Sequence, residues 1–186
     1  MSPEFSQPLS GRWLRGFWAA VLAVFATAMT HSDEPSREYR IKAAYLYNLT
    51  KFITWPDEKI WPENAPISVC IYGFNPFDTY IEKLRERTAK GHPIALHYTK
   101  EQGDLSGCKV VFISQYNPHQ PDLRKLQADM PMLLTVGDDP DFIVRNGMIG
   151  LVASGNNVQM DIHLTRARQA GFAVSADLLE IAHKVE

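Results

Sequence analysis

Six histidines stand at positions 31, 92, 97, 119, 163 and 183, and no two share a ligand spacing on one element. They offer no footing for a bound metal. Asp138, Asp139 and Asp141 form the densest carboxylate group. Three acids after a strand could hold a divalent cation, and they equally suit the start of a helix; no metal is expected. G-x-G-x-x-G, the P-loop, G-x-S-x-G and H-E-x-x-H are all absent, which removes the common nucleotide-binding and hydrolytic chemistries. No catalytic residue and no cofactor is therefore expected. His163 lies beside Asp161 and near Arg166 and Arg168. That cluster could grip a polar partner, or be a solvated, hydrogen-bonded edge.

A second set of candidates comes from position in the fold. If the chain builds an open α/β sheet, ligands bind beyond the carboxyl ends of its strands. Those ends carry Gly73 and Asn75, then Ser114 and Gln115, then Asp138. Polar groups beside helix starts, with Phe74 and Tyr116 among them, suit an anion or a planar small molecule; they also suit ordinary turns. The aromatic-rich segment around Tyr39, Tyr47 and Trp55 offers docking anchors wherever its rings are exposed. Otherwise those rings wrap the core.

The elements that would hold these residues follow from periodicity. Apolar positions at helical spacing predict a helix over 39–55, stopped by Pro56. Ile67–Tyr72 reads as a strand, with Asn75 and Pro76 opening a helix to about Thr88. Ile94–Tyr98, Lys109–Ile113 and Met132–Val136 read as further strands, with helices near 122–128 and 140–145. Met148–Ala153 and Val158–His163 flank Ser154-Gly155-Asn156-Asn157, the pattern of an antiparallel hairpin. Helices over 165–170 and 175–185 close the chain, the first stopped by Gly171 and the second capped by Ser175. Alternating strands and helices predict a single three-layer α/β domain: a mainly parallel sheet flanked by helices, with an antiparallel C-terminal hairpin.

The N-terminus predicts where this domain works. Arg12 and Arg15 precede an apolar run of about a dozen residues, and Ala26-Thr27-Ala28 supplies a small-x-small site. This is the pattern of a secretory signal peptide cleaved near Ala28. The expected organisation is a signal peptide over 1–28, a flexible leader over 29–37 and a folded domain over 38–186, in the periplasm. Export changes the meaning of Cys70 and Cys108, the only two cysteines: in an oxidising compartment two thiols in one small domain are expected to be bridged. With 19 Lys and Arg against 21 Asp and Glu, a net charge of −2, nothing points to nucleic acid.

Particular runs resemble a known family. Tyr39-Arg40-Ile41-Lys42-Ala43-Ala44-Tyr45-Leu46-Tyr47-Asn48-Leu49-Thr50-Lys51-Phe52-Ile53-Thr54-Trp55-Pro56 is similar to the opening signature of the YfiR family of exported bacterial proteins. Leu134–Asp138, Gly147–Leu151 and Ser175–Ala182 match it too. Where family members end a strand in Ile-Asn, this chain has Ile162-His163, and a second cysteine pair found in some members has no counterpart. The resemblance implies a periplasmic, non-enzymatic regulator that represses an inner-membrane diguanylate cyclase through its periplasmic region. It implies a homodimer, small-molecule binding, and an OmpA-like outer-membrane lipoprotein as a second partner. The alternative is a periplasmic small-molecule receptor feeding a sensor kinase or uptake system, using the strand-end residues.

Overall fold

The structure, a computed structural model, describes residues 37–186. The proposed signal peptide with its cleavage near Ala28, and the leader up to residue 36, lie outside the described residues.

Helix α1 spans Arg37–Phe52. Its buried residues are Tyr39, Lys42, Ala43, Leu46, Leu49 and Thr50, the three-four spacing of one helix face. The helix was expected to run to Trp55. Instead Ile53–Thr54 forms strand β1, because two β-branched residues before Trp55-Pro56 favour extended backbone. Antiparallel to it lies β9, Ala173–Val174.

Among the described residues the main sheet has eight strands. They are β2 (Ile67–Tyr72), β3 (Thr88–Ala89), β4 (His92–Thr99), β5 (Val110–Ile113), β6 (Leu134–Gly137), β7 (Ile149–Ser154), β8 (Asn157–Ile162) and β10 (Lys184–Val185). Their order across the sheet is β10-β8-β7-β6-β5-β2-β4-β3. Pairings are parallel from β4 through β2, β5 and β6 to β7, and antiparallel for β7 with β8 and β3 with β4. The hairpin turns at Gly155, whose φ of +58° a glycine adopts without strain.

Side chains alternate across the sheet and both faces are dry. Val69, Ile71, Val110 and Phe112 join α1 and Phe77 in one core. Their neighbours Cys70, Tyr72, Val111 and Ile113 point the other way, against Leu105, Leu123, Leu126 and Phe142. This is the expected three-layer α/β architecture. Cys70 and Cys108 are joined across the second core, their Cα atoms 6.0 Å apart.

Several elements differ from expectation. The segment after Pro76 is a 3₁₀ helix, Asp78–Glu86, not an α-helix. Asn75 accepts from the Phe77 amide at 3.0 Å and donates to the Asp78 carbonyl at 3.2 Å, which turns the chain instead of capping an α-helix. Residues 140–145 form turns: Asp139 accepts from the Asp141 amide at 2.8 Å and pairs with Arg145. Helices α2 (Leu123–Asp129) and α3 (Leu164–Gln169) lie where expected. The last helix, α4, is only Ala176–Glu180. Beyond it the chain extends, because β8 offers a free edge: His183 donates to the Met160 carbonyl at 2.8 Å and Glu186 to Ile162 at 2.9 Å.

Candidate functional site

The strand order fixes where a ligand could enter. From β2 the chain leads to β3 and β4 on one side of the sheet, and from β5 to β6 on the other. The β2/β5 boundary is therefore a topological switch point, where connections diverge and leave a crevice. A cavity of about 410 Å³ lies there. Gly73, Phe74 and Asn75 come from the end of β2, Lys100 from the end of β4, and Asn117 and His119 from the loop after β5.

Asn117 builds its floor. Its amide donates to the His119 carbonyl at 3.1 Å and accepts from the His119 amide at 3.3 Å. It also fills the space where a side chain on residue 73 would begin: a Cβ there would sit 2.4 Å from the Asn117 amide oxygen. With φ at +76°, Gly73 satisfies both constraints. Its own N–H donates to the Thr99 carbonyl at 2.8 Å, tying the β2 and β4 ends together.

Of the five residues expected in a pocket, Gly73 and Asn75 line this cavity. Ser114, Gln115 and Asp138 are not part of its lining; Asp138 and the Gln115 backbone amide belong to a separate polar cluster, and Ser114 to the turn after β5. Ser114 is buried, and its hydroxyl accepts from the Tyr116 amide at 3.2 Å. Asp138 is buried and reaches across from β6, accepting from the Gln115 amide at 2.6 Å, the Tyr39 hydroxyl at 2.8 Å and the Lys42 ammonium at 3.0 Å. Lys42 is itself fully buried, pairs with Glu38 as well, and lies 4.5 Å from the Tyr39 ring centre. Burial, and then the Asp138 charge, push the Tyr39 phenol above its ordinary range. Sequence reasoning missed Lys42. The signal was its place on the buried register of α1, three residues after Tyr39.

The expected docking anchors need correction. Tyr39 and Trp55 are 8% and 2% exposed, so neither ring is free at the surface. Tyr39 packs edge-on to Phe77, and the Trp55 indole donates to the Lys109 carbonyl at 3.1 Å. Tyr47 is half-buried and donates to the Thr88 carbonyl at 2.9 Å, stapling α1 to β3. His163 caps α3: its Nδ1 accepts from the Arg166 amide at 3.3 Å. Burial, with the Arg166 charge, holds that imidazole below the ordinary histidine range. Arg166 is spent on the Gly147 and Ile143 carbonyls, at 2.6 and 3.1 Å. Arg168 is exposed. Among the described residues no cluster of His, Cys, Asp and Glu is placed to hold a metal.

A family model described as YfiR/HmsC-like matches residues 39–183. The chain belongs to the YfiR/HmsC-like family. The match spans nearly all of the described structure, so the buried Tyr39–Lys42–Asp138 cluster lies within the family domain. No curated protein matches the chain. Among solved structures it is similar to an ABC domain in complex with L-Trp from Streptococcus pneumonia. Identity is 10%, TM-score 0.48, over 77% of this chain and 60% of that one. The chain thus spans less than two thirds of that structure, and a likeness so distant bears on neither ligand nor partner. Among the described residues of this YfiR/HmsC-like domain, no helix is long and apolar enough to cross a membrane.

Proposed function

We propose that this YfiR/HmsC-like protein is a periplasmic, non-enzymatic regulator that represses an inner-membrane diguanylate cyclase by docking on its periplasmic region. The family match over residues 39–183 carries the reading. The secretory pattern near Ala28 supports it, as does the Cys70–Cys108 bridge, a bond suited to an oxidising compartment. A homodimer is the proposed working form, and an OmpA-like outer-membrane lipoprotein the proposed sequestering partner. Docking falls to exposed residues, Arg168 among those expected from sequence, because Tyr39 and Trp55 are committed to the core.

Deleting the gene in its host tests this. Cellular cyclic-di-GMP and biofilm should rise, and the intact gene supplied in trans should restore them. A deletion strain with unchanged cyclic-di-GMP rejects repression. The switch-point cavity favours a second reading, in which the domain receives a small molecule and reports it to a sensor kinase or uptake system.

A further inference from the structure

We infer that the cavity between the ends of β2 and β5 binds a small aromatic anion, a single planar ring carrying a carboxylate or phosphate. The inference rests on reading that cavity as a ligand site and adds the class of ligand. Charge gives the sign. Lys100 and His119 are the basic groups in the lining, and no carboxylate joins them. Both are exposed, and neither side chain carries an ion pair or hydrogen bond to another described residue. An uncompensated cation beside a second nitrogen base, in a chain of net charge −2, marks a place for a negative group.

Shape gives the ring. Phe74 forms one wall and is 48% exposed. Tyr116, 61% exposed, meets it edge-on with centroids 6.3 Å apart. Soluble domains do not usually pair two open aromatic rings at a crevice mouth without a partner for them. A planar ligand covering the Phe74 face would gain stacking and apolar burial together. At about 410 Å³ the space lies near the small end of ligand cavities, which run from about 300 to 1,000 Å³. That size admits one ring and its anionic group. The Asn117 floor and the Gly73 tie to Thr99 fix the walls in advance, so little ordering cost attends binding.

Amide-resolved NMR titration of the purified protein tests this with four probes: benzoate, phenyl phosphate, neutral benzamide and inorganic phosphate. The expected result is saturable shifts at Gly73, Lys100 and His119 for the two aromatic anions. Benzamide and inorganic phosphate should each bind at least about tenfold more weakly, since each lacks one of the two contacts. Lys100→Gln and Phe74→Ala, both at exposed positions, should keep the fold and each weaken benzoate about tenfold. If benzamide binds as well as benzoate and Lys100→Gln changes nothing, the cavity remains a ligand site and the anion is overturned. If no probe gives saturable shifts there, the ligand-site reading falls as well. Neither result bears on repression, which the deletion strain tests separately.

Discussion

Lys42→Met puts the buried cluster under α1 to the test. The substitution keeps length and apolar bulk and deletes one charge. Lys42 and Asp138 have no exposed side-chain surface, and 3.0 Å separates their charged atoms. Without the ammonium, Asp138 retains two neutral donors, the Tyr39 hydroxyl and the Gln115 amide. Removing one partner of a buried ion pair costs about 3–5 kcal/mol, chiefly through the charge left behind. For a domain of this size that lowers Tm by about 6–20 °C. Asp138→Asn is milder, about 1–3 kcal/mol, because Lys42 still has Glu38 while the amide oxygen can still accept hydrogen bonds. The double variant buries neither orphaned charge, so it should cost less than the two singles added. Urea unfolding followed by Trp55 and Trp61 fluorescence measures all three. A Lys42→Met protein within about 1 kcal/mol of the parent would refute the reasoning, and so would strict additivity in the double variant.

Mass spectrometry of the unreduced protein should show a Cys70–Cys108 linked peptide. Reduction should then cost about 4 kcal/mol by the chain-entropy account, since the bridge closes a separation of 38 residues; two freely alkylated thiols would contradict it. His163→Ala should cost about 1 kcal/mol through the lost cap, whereas His163→Asn should retain it. Because the folded-state pKa of His163 is depressed, the unfolded chain takes up the proton first. Stability should therefore fall as pH drops below about 6.5, and His163→Asn should remove that component of the slope. In a 295 nm titration Tyr39 and Tyr98 should lag behind other tyrosines, both raised first by burial and then by Asp138 and Glu82 respectively. Their raised folded-state values leave stability untouched below about pH 10 and erode it above. Seven tyrosines ionising together in the native protein would exclude this.

Local chemistry made much of the fold legible. The helical register of α1, the stop at Pro56 and the hairpin around Gly155 are each decided by residues within a few positions of one another. What failed depended on distant backbone. Residues 181–185 carry a plausible helical stripe, yet they extend, because the β8 edge supplies hydrogen bonds that no local pattern announces. The site divides the same way. Gly73 and Asn75 follow from the strand-end rule, while Lys100 and His119 join them only once β2 is known to lie between β4 and β5. Ser114, Gln115 and Asp138 also stand at strand ends. Asp138 is taken up by the interior cluster because Tyr39 and Lys42 of α1 reach it, while Gln115 gives that cluster only its backbone amide and Ser114 serves the turn to Tyr116.

The runs that carry the family resemblance prove to be mainly structural. Tyr39 and Lys42 of the first run and Asp138 of the second meet in one buried cluster. Gly137 and Gly147, from two different runs, grip the Phe142 ring from both sides. A Cβ at either would sit 2.3 or 2.2 Å from that ring, closer than any packing allows. Ser175 caps α4 by accepting from the Leu178 amide at 3.2 Å. Even the departure at position 163 obeys this logic, since histidine supplies through Nδ1 the acceptor that asparagine would supply at a helix start. A signature built from interior contacts identifies how a chain folds and leaves its outer surface free to vary. Family membership therefore transfers the domain securely, while the partner must be read from exposed residues outside that interior, Arg168 among them.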